Sequence, residues 1–387
     1  MIIGEASYLA LHQQGELTKR AEGLRQLLSP CRLCPRRCGS LRLEGQVGLC
    51  RASEQVEVSA VTPHFGEEPV LTGSGGVGNI FFTHCNLKCV YCQNYQISQA
   101  PGEETGKGVV TGKAPGVGER TKATGEVSRA GREKLPEVTG PGQDHHDGQT
   151  SVLRAGIGVS CQYQDSVFSL AQGMLDLQLK GVSAIGLVSP THYVPQIVDA
   201  LILAVEGGLH LPLIYNTNAY DSLEVLRLLE GIVDIYLPDL KYADNQVANH
   251  LSAASGYREI SRQAIREMYR QLGSYLWLDE TGTLERGLIL RHLVLPGDLA
   301  GSRDSLRWVA EELSPRVTLS IMSQYYPAYR AAQFPPLQRT VTPEEYRQVV
   351  RLAQDLGFRN IFTQEMSSPE SYRPDFAKRE RPFREDW

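Results

Sequence analysis

Three cysteines stand close together in HCNLKCVYCQNY: Cys85, Cys89 and Cys92, spaced C-x3-C-x2-C. A thiolate is a soft anionic ligand, and tightly clustered cysteines in a chain without an export signal are metal ligands before they are disulfides. Three is one short of the four protein ligands that close a structural site. A zinc ion completed by His84 or by a distant side chain would fit. So would a four-iron cubane, in which three thiolates leave one iron open to something that is not protein. An open position marks catalysis rather than bracing.

A second cluster lies upstream in CRLCPRRCGSLRLEGQVGLC, where Cys31, Cys34, Cys38 and Cys50 are interleaved with Gly39, Gly45 and Gly48. Four thiolates close a tetrahedral site, so a structural zinc or a second, auxiliary iron–sulfur cluster fits there; disulfides are the alternative. Around it, Arg32, Arg36, Arg37, Arg42 and Arg51 would dock an acidic electron donor or form a solvated face. Of the eight cysteines only Cys161 stands alone. Gly73, Gly75 and Gly78 satisfy G-x-G-x-x-G, but a strand follows them instead of a helix N-terminus, so they read as a turn and not as a dinucleotide site.

The elements that position these motifs follow a βα rhythm. Residues 1–30 predict an amphipathic helix, and 31–76 a cysteine-rich, loop-rich extension. NIFFT (79–83) is a short buried strand that ends at the three-cysteine loop. Residues 101–150 are rich in Gly and charge and lack aromatics, the composition of a disordered insertion; His145 and His146 within it read as solvated. Beyond it, helices over 166–180, 194–205, 221–229 (opened by Asp221 and Glu224), 259–272 and 305–313 alternate with the strands SAIGLV, LPLIYN, IVDIYLPDL, GLILRHLVL and VTLSIM. Thr342-Pro343-Glu344-Glu345 opens one more helix, NIFT follows, and 371–387 reads as a flexible tail. This pattern predicts an α/β protein with parallel strands, a partial (β/α)6 TIM-like barrel over 77–330 with a C-terminal helix and strand over 331–370. Such a barrel carries its chemistry at the C-terminal ends of its strands. There the chain places the cysteine loop, SPTH (189–192), NTNAYD (216–221), PDLK (238–241), PGD (296–298) and SQYYP (323–327).

Composition bounds the rest. Hydrophobic residues make up 41% and charged residues 21%, and the net charge is −5, so no basic field gathers nucleic acid. No signal-peptide pattern or apolar run long enough to span a membrane occurs, and the expectation is a cytoplasmic protein.

The cysteine spacing, with Tyr91 just before the last cysteine, resembles the radical S-adenosylmethionine (SAM) superfamily. FFTHCNLKCVYCQNYQIS, YNTNAYD, DIYLPDLKY and RHLVLPG come in the order seen in pyruvate formate-lyase activating enzymes and an uncharacterised branch with an N-terminal C-x2-C-x3-C-x11-C motif. The resemblance implies a [4Fe–4S] cluster on Cys85, Cys89 and Cys92, with SAM chelating the open iron and reductively cleaved to a 5′-deoxyadenosyl radical. It implies that Lys241 meets the SAM carboxylate and that Asp239, Asn216 and Thr217 form a polar cluster beside it. Tyr91 would contact adenine largely through its backbone. The Gly-Gly-Glu loop usual after the second strand is replaced by Ser189-Pro190-Thr191-His192; Ser189 and Thr191, or their backbone, are expected to hold the SAM amino group, with His192 facing the substrate side. A histidine usual beyond the PG turn has no counterpart, which leaves the substrate open. The implied partners are a protein substrate, such as a glycyl radical enzyme, and a flavodoxin- or ferredoxin-type electron donor. Modification of another protein or a small metabolite, and a non-catalytic metal-stabilised scaffold, are the alternatives.

Overall fold

The structure is a computed structural model that describes residues 5–99, 160–371, 373–378 and 382–383. The insertion expected at 101–150, with His145 and His146, lies outside the described residues.

The N-terminal stretch forms two helices instead of one, α1 (Ser7–Gln13) and α2 (Glu16–Gln26). The break is Gly15, whose φ of 71° stops one helix and caps the next. Both helices bury an apolar stripe, Tyr8 on α1 and Leu17, Ala21 and Leu24 on α2. The cysteine-rich turns follow, then β1 (Val58–His64), a short helix α3 (Pro69–Thr72), β2 (Val77–Phe82) and, past the three cysteines, α4 (Tyr95–Ser98).

From residue 160 the expected alternation appears as α5 (Cys161–Leu179), β3 (Ile185–Val188), α6 (Val194–Glu206), β4 (Leu213–Thr217), α7 (Leu223–Leu228) and β5 (Ile235–Pro238). Two helices, α8 (Asn245–Ser252) and α9 (Tyr257–Leu272), then lead to β6 (Trp277–Leu278) and β7 (Leu284–Leu293). There follow α10 (Ser302–Glu312), β8 (Thr318–Met322), α11 (Pro343–Asp355), β9 (Ile361–Thr363) and α12 (Ser368–Ser371). Helix α8 escapes a periodicity reading because it is short; it is nucleated by Asp244, whose carboxylate accepts from Gln246 N and Val247 N. Helix α11 has the full reciprocal cap between Thr342 and Glu345. Asp221 does not cap α7: Ser222 holds that place, and Asp221 is buried elsewhere.

Strands β2, β3, β4, β5, β7, β8 and β9 pair side by side, all parallel and in chain order. Strand β1 adds antiparallel to β2, and β6 antiparallel to β7. The fold is therefore mixed α/β around a parallel sheet. Period-two alternation splits each strand between two cores. Ile185, Leu187, Leu213, Tyr215 and Tyr236 face the helices with Leu24, Leu170 and Leu201. On the opposite face Val77, Ala184, Ile214, Ile235, Leu237 and Ile289 pack on one another and on Leu71 of α3. Among the described residues no helix is long and apolar enough to cross a membrane.

Candidate functional site

The loops at the C-terminal ends of the parallel strands are held in costly backbone conformations. His84 after β2, Ser189 after β3, Ala219 after β4, Asp298 after β7 and Tyr329 after β8 all have φ between 52° and 68°. A left-handed residue other than glycine costs free energy and persists where the surroundings over-determine it, as they do at functional sites.

Cys85, Cys89 and Cys92 follow β2 directly, and each sulfur has a hydroxyl or amide beside it. Asn218 Nδ2 donates to Cys85 Sγ at 3.6 Å, and Ser252 Oγ donates to Cys89 Sγ at 3.0 Å. Cys92 Sγ lies 3.1 Å from Ser98 Oγ. The loop also hangs on the end of α8, with Lys88 N donating to Ser252 O and Val90 N to Leu251 O. Burial pushes the Cys85 thiol up to about 11 and the Cys89 thiol up to about 12, so both are protonated until a metal displaces the proton. The cysteines are all free thiols, and among the described residues no three Cys, His, Asp or Glu side chains are drawn together as a finished ligand set. His84, the alternative fourth ligand, instead aims Nε2 at Glu57 Oε1, 3.4 Å away.

The other expected residues divide between two places. Tyr91 is buried, and its hydroxyl starts a relay: Tyr91 OH to Tyr242 OH at 2.6 Å, Tyr242 OH to Ser252 Oγ at 2.6 Å, and Ser252 on to Cys89. Lys241 is not a surface residue. Its ammonium lies 2.7 Å from Asp239 Oδ2. Burial alone would lower its pKa, but Asp239 and then Cys89 outweigh burial and hold it well above the usual range. Lys241 and Asp239 thus stand together beside the cysteine loop. Asn216 points inward and lines a cavity.

Thr217 and Thr191 do not join them. Their hydroxyls donate to the two oxygens of buried Asp221, at 2.6 and 2.7 Å, with Tyr215 OH donating at 3.0 Å. Tyr215 belongs to the helix-facing core, so this cluster lies behind β4 instead of in the cavity. The Thr191 hydroxyl is committed to Asp221, and Ser189 N is given to Asn216 O. His192, expected on the substrate side, lies beneath the rim. It is buried with Nε2 2.8 Å from Thr83 O, and burial lowers its pKa to about 3. Its carbonyl accepts from Arg42, which is itself fully buried and not part of a solvated face.

The cavity, of about 430 Å³, opens where the strands end, between Asn94 of the cysteine loop, Asn216, Ser320 and Gln364. One wall holds a buried charge cluster that sequence reasoning missed. Arg291, inward on β7, donates through Nε to Glu68 Oε1 at 2.9 Å and through Nη2 to both Glu67 and Glu68. Asn79 Nδ2 donates to the other oxygen of Glu67 at 2.8 Å. Glu67 is held below the usual carboxylate range: burial opposes this, and Arg291 outweighs it. One signal was present, an arginine in mid-strand among the aliphatic residues of GLILRHL. The lining also includes Pro374 and Phe383. The tail expected to be flexible packs here in its described part: Phe376 is buried edge-on against Phe81, and Phe383 lies 4.2 Å from the His64 ring.

No protein-family model matches the chain. It is 26% identical over 346 residues, 89% of its length and 80% of the other's, to an uncharacterised protein of Methanocaldococcus jannaschii. Among solved structures it is similar to a radical SAM methyltransferase from Sphaerobacter thermophilus, with a TM-score of 0.34 and 14% identity, covering 55% of this chain and 60% of that one. The chain spans less than two thirds of that structure, and a likeness this loose carries no argument about either fold or function.

Proposed function

We propose that the chain is a radical SAM enzyme, built on a sheet curved into a partial barrel. The curvature is supported by the inner face, where residues from β2 to β7 pack on one another, as the inside of a closing sheet does. The observation that carries the function is the three-cysteine loop at the end of the first parallel strand: each sulfur has a hydrogen-bonding neighbour, and a polar cavity opens beside it. A [4Fe–4S] cluster held by Cys85, Cys89 and Cys92, with SAM on its open iron, supplies reductive cleavage to a 5′-deoxyadenosyl radical.

The chain's own residues do the rest. Asn218 and Ser252 stabilise thiolate charge on Cys85 and Cys89 by donating to the sulfurs. The Lys241 ammonium, fixed by Asp239, is available to a carboxylate beside the cluster. Tyr91, Tyr242 and Tyr257 bury that side of the loop and exclude water. Asn216, Ser320 and Arg291 border the space in which a substrate hydrogen would meet the radical.

The substrate we favour is a residue on a partner protein, as for a glycyl radical activase, with a flavodoxin- or ferredoxin-type donor reaching the cluster. A small metabolite is the second reading, favoured by a cavity whose volume suits a small molecule. The test is anaerobic reconstitution with iron and sulfide, reduction, and assay of 5′-deoxyadenosine from SAM. Wild type should form it and Cys89→Ala should not. Equal cleavage by the two proteins would refute the proposal. A glycyl radical signal on mixing with a candidate partner would separate activase from metabolite chemistry.

A further inference from the structure

The four-cysteine turn is not a separate appendage: it is bolted to the three-cysteine loop by one side chain. Arg36 lies between Cys34 and Cys38 in the sequence. Its Nε donates to Asn86 O at 2.6 Å, and Asn86 directly follows Cys85. Its Nη2 donates to Ala253 O at 2.6 Å, at the end of α8 from which Lys88 N and Val90 N also hang. The guanidinium lies 5.5 Å over the ring of Tyr220, whose carbonyl accepts from the Asn86 side chain at 2.8 Å. One arginine therefore fixes the loop, the helix end that carries the loop, and the turn after β4.

The turn that holds Arg36 has the ingredients of a metal site. Cys31, Cys34 and Cys50 are buried, Cys38 is at the surface, and none is in a disulfide. The chain just before Cys50 wraps tightly onto Cys38: a Cβ added at Gly48 would fall 2.5 Å from Cys38 Sγ. Beneath them, buried Arg42 brings a guanidinium. Four thiolates on a divalent cation carry a net double negative charge, and Arg36 and Arg42 supply matching positive charge.

We propose that Cys31, Cys34, Cys38 and Cys50 bind a tetrahedral thiophilic cation and that this metal, through Arg36, clamps the Cys85–Cys92 loop in its working shape. Arg36 is a positioning residue: it touches neither metal. Fixing Cys34 and Cys38 to one ion immobilises the residues on both sides of Arg36, so its two carbonyl bonds form at little entropic cost. The inference rests on the cluster assigned to Cys85, Cys89 and Cys92 above.

The test uses the full chain, purified anaerobically, loaded with zinc, then reconstituted with iron and sulfide. Zinc, iron and sulfide are counted per chain before and during challenge with a chelator, and SAM affinity is measured on the same samples. Cys89→Ala should keep its zinc. Cys34→Ser should lose zinc and release iron faster than wild type. Arg36→Ala should keep zinc yet release iron at least about tenfold faster, the order expected for losing charge-assisted bonds, with weaker SAM binding. Arg36→Lys, which cannot span both carbonyls, should not restore wild-type retention. Arg20→Ala, which removes an arginine bonded to the Leu228 and Glu230 carbonyls and not to either cysteine loop, controls for general stability and should leave iron retention unchanged. Wild-type protein that takes up no metal at the four thiols, or Arg36→Ala that retains iron as wild type does, overturns the clamp alone. Wild type that holds zinc but no iron overturns the assignment of the three-cysteine loop and the clamp with it.

Discussion

Replacing Arg291 by Met should show how much the charge cluster in the cavity wall contributes. Methionine keeps most of the volume and removes the cation, leaving Glu67 and Glu68 buried side by side. Arg291 makes bonds to both carboxylates, and all three side chains are almost wholly screened from solvent. Removing one partner from such a group costs about 3–5 kcal/mol, because the remaining charge is stranded. The pH dependence gives a sharper sign. In wild type Glu67 is held below its ordinary range, so its contribution is present at neutral pH and is lost as pH falls through the folded pKa. In Arg291→Met the largest cause of that depression is gone and burial outweighs what His64 and Asn79 contribute, so Glu67 should take up a proton on folding and the variant should become relatively more stable as pH falls from 7 to 5. Urea denaturation at both pH values measures this. A destabilisation under about 1 kcal/mol, or wild-type and variant midpoints moving in parallel with pH, would refute the assignment of the cluster.

Asp234 is buried at the opposite end of the sheet, where burial raises its pKa to about 6 against backbone bonds from Leu213 and Ser7. Its burial penalty is therefore present above pH 6 and relieved as pH falls toward its unfolded value, so relative to Asp234→Asn, wild type should gain up to roughly 3 kcal/mol between pH 7 and pH 4; superimposable stability profiles would refute this. Gly75→Ala should destabilise severely or prevent folding, because its Cβ would fall 1.9 Å from the Gly181 carbonyl oxygen and backbone must move; near wild-type melting would contradict that contact. Lys241→Ala should weaken SAM binding about 10- to 150-fold, the worth of one charge-assisted bond, measured by equilibrium dialysis on reconstituted protein; unchanged affinity would remove Lys241 from the site.

The parallel strands were legible because each is short, apolar and bounded by helical periodicity, and even the last, Ile361–Thr363, was visible as NIFT. The cysteine loop was legible because its spacing is local. What was not legible is what depends on the face a side chain takes. Asn216 and Thr217 are neighbours in sequence, yet alternation along β4 sends one to the cavity and the other to Asp221. His192 looked like a rim residue and is a buried structural one, because a 3₁₀ turn at Thr191–Tyr193 swings it beneath Thr83. Nothing in GEEP marks Glu67 and Glu68 as buried, since their partner Arg291 lies on β7, more than 200 residues later. No local pattern reports a partner that distant.

The parallel strands join the sheet in the order in which they leave the ribosome, with no later strand inserted between earlier ones. Each new βα unit can dock on a finished edge, so the sheet is suited to growing vectorially during synthesis. The two cysteine clusters come early in that programme. Phe376 and Phe383 are made after the sheet and return to Phe81 and His64 at its starting edge. The nascent chain therefore keeps that side of the cavity uncovered until these two aromatics are made.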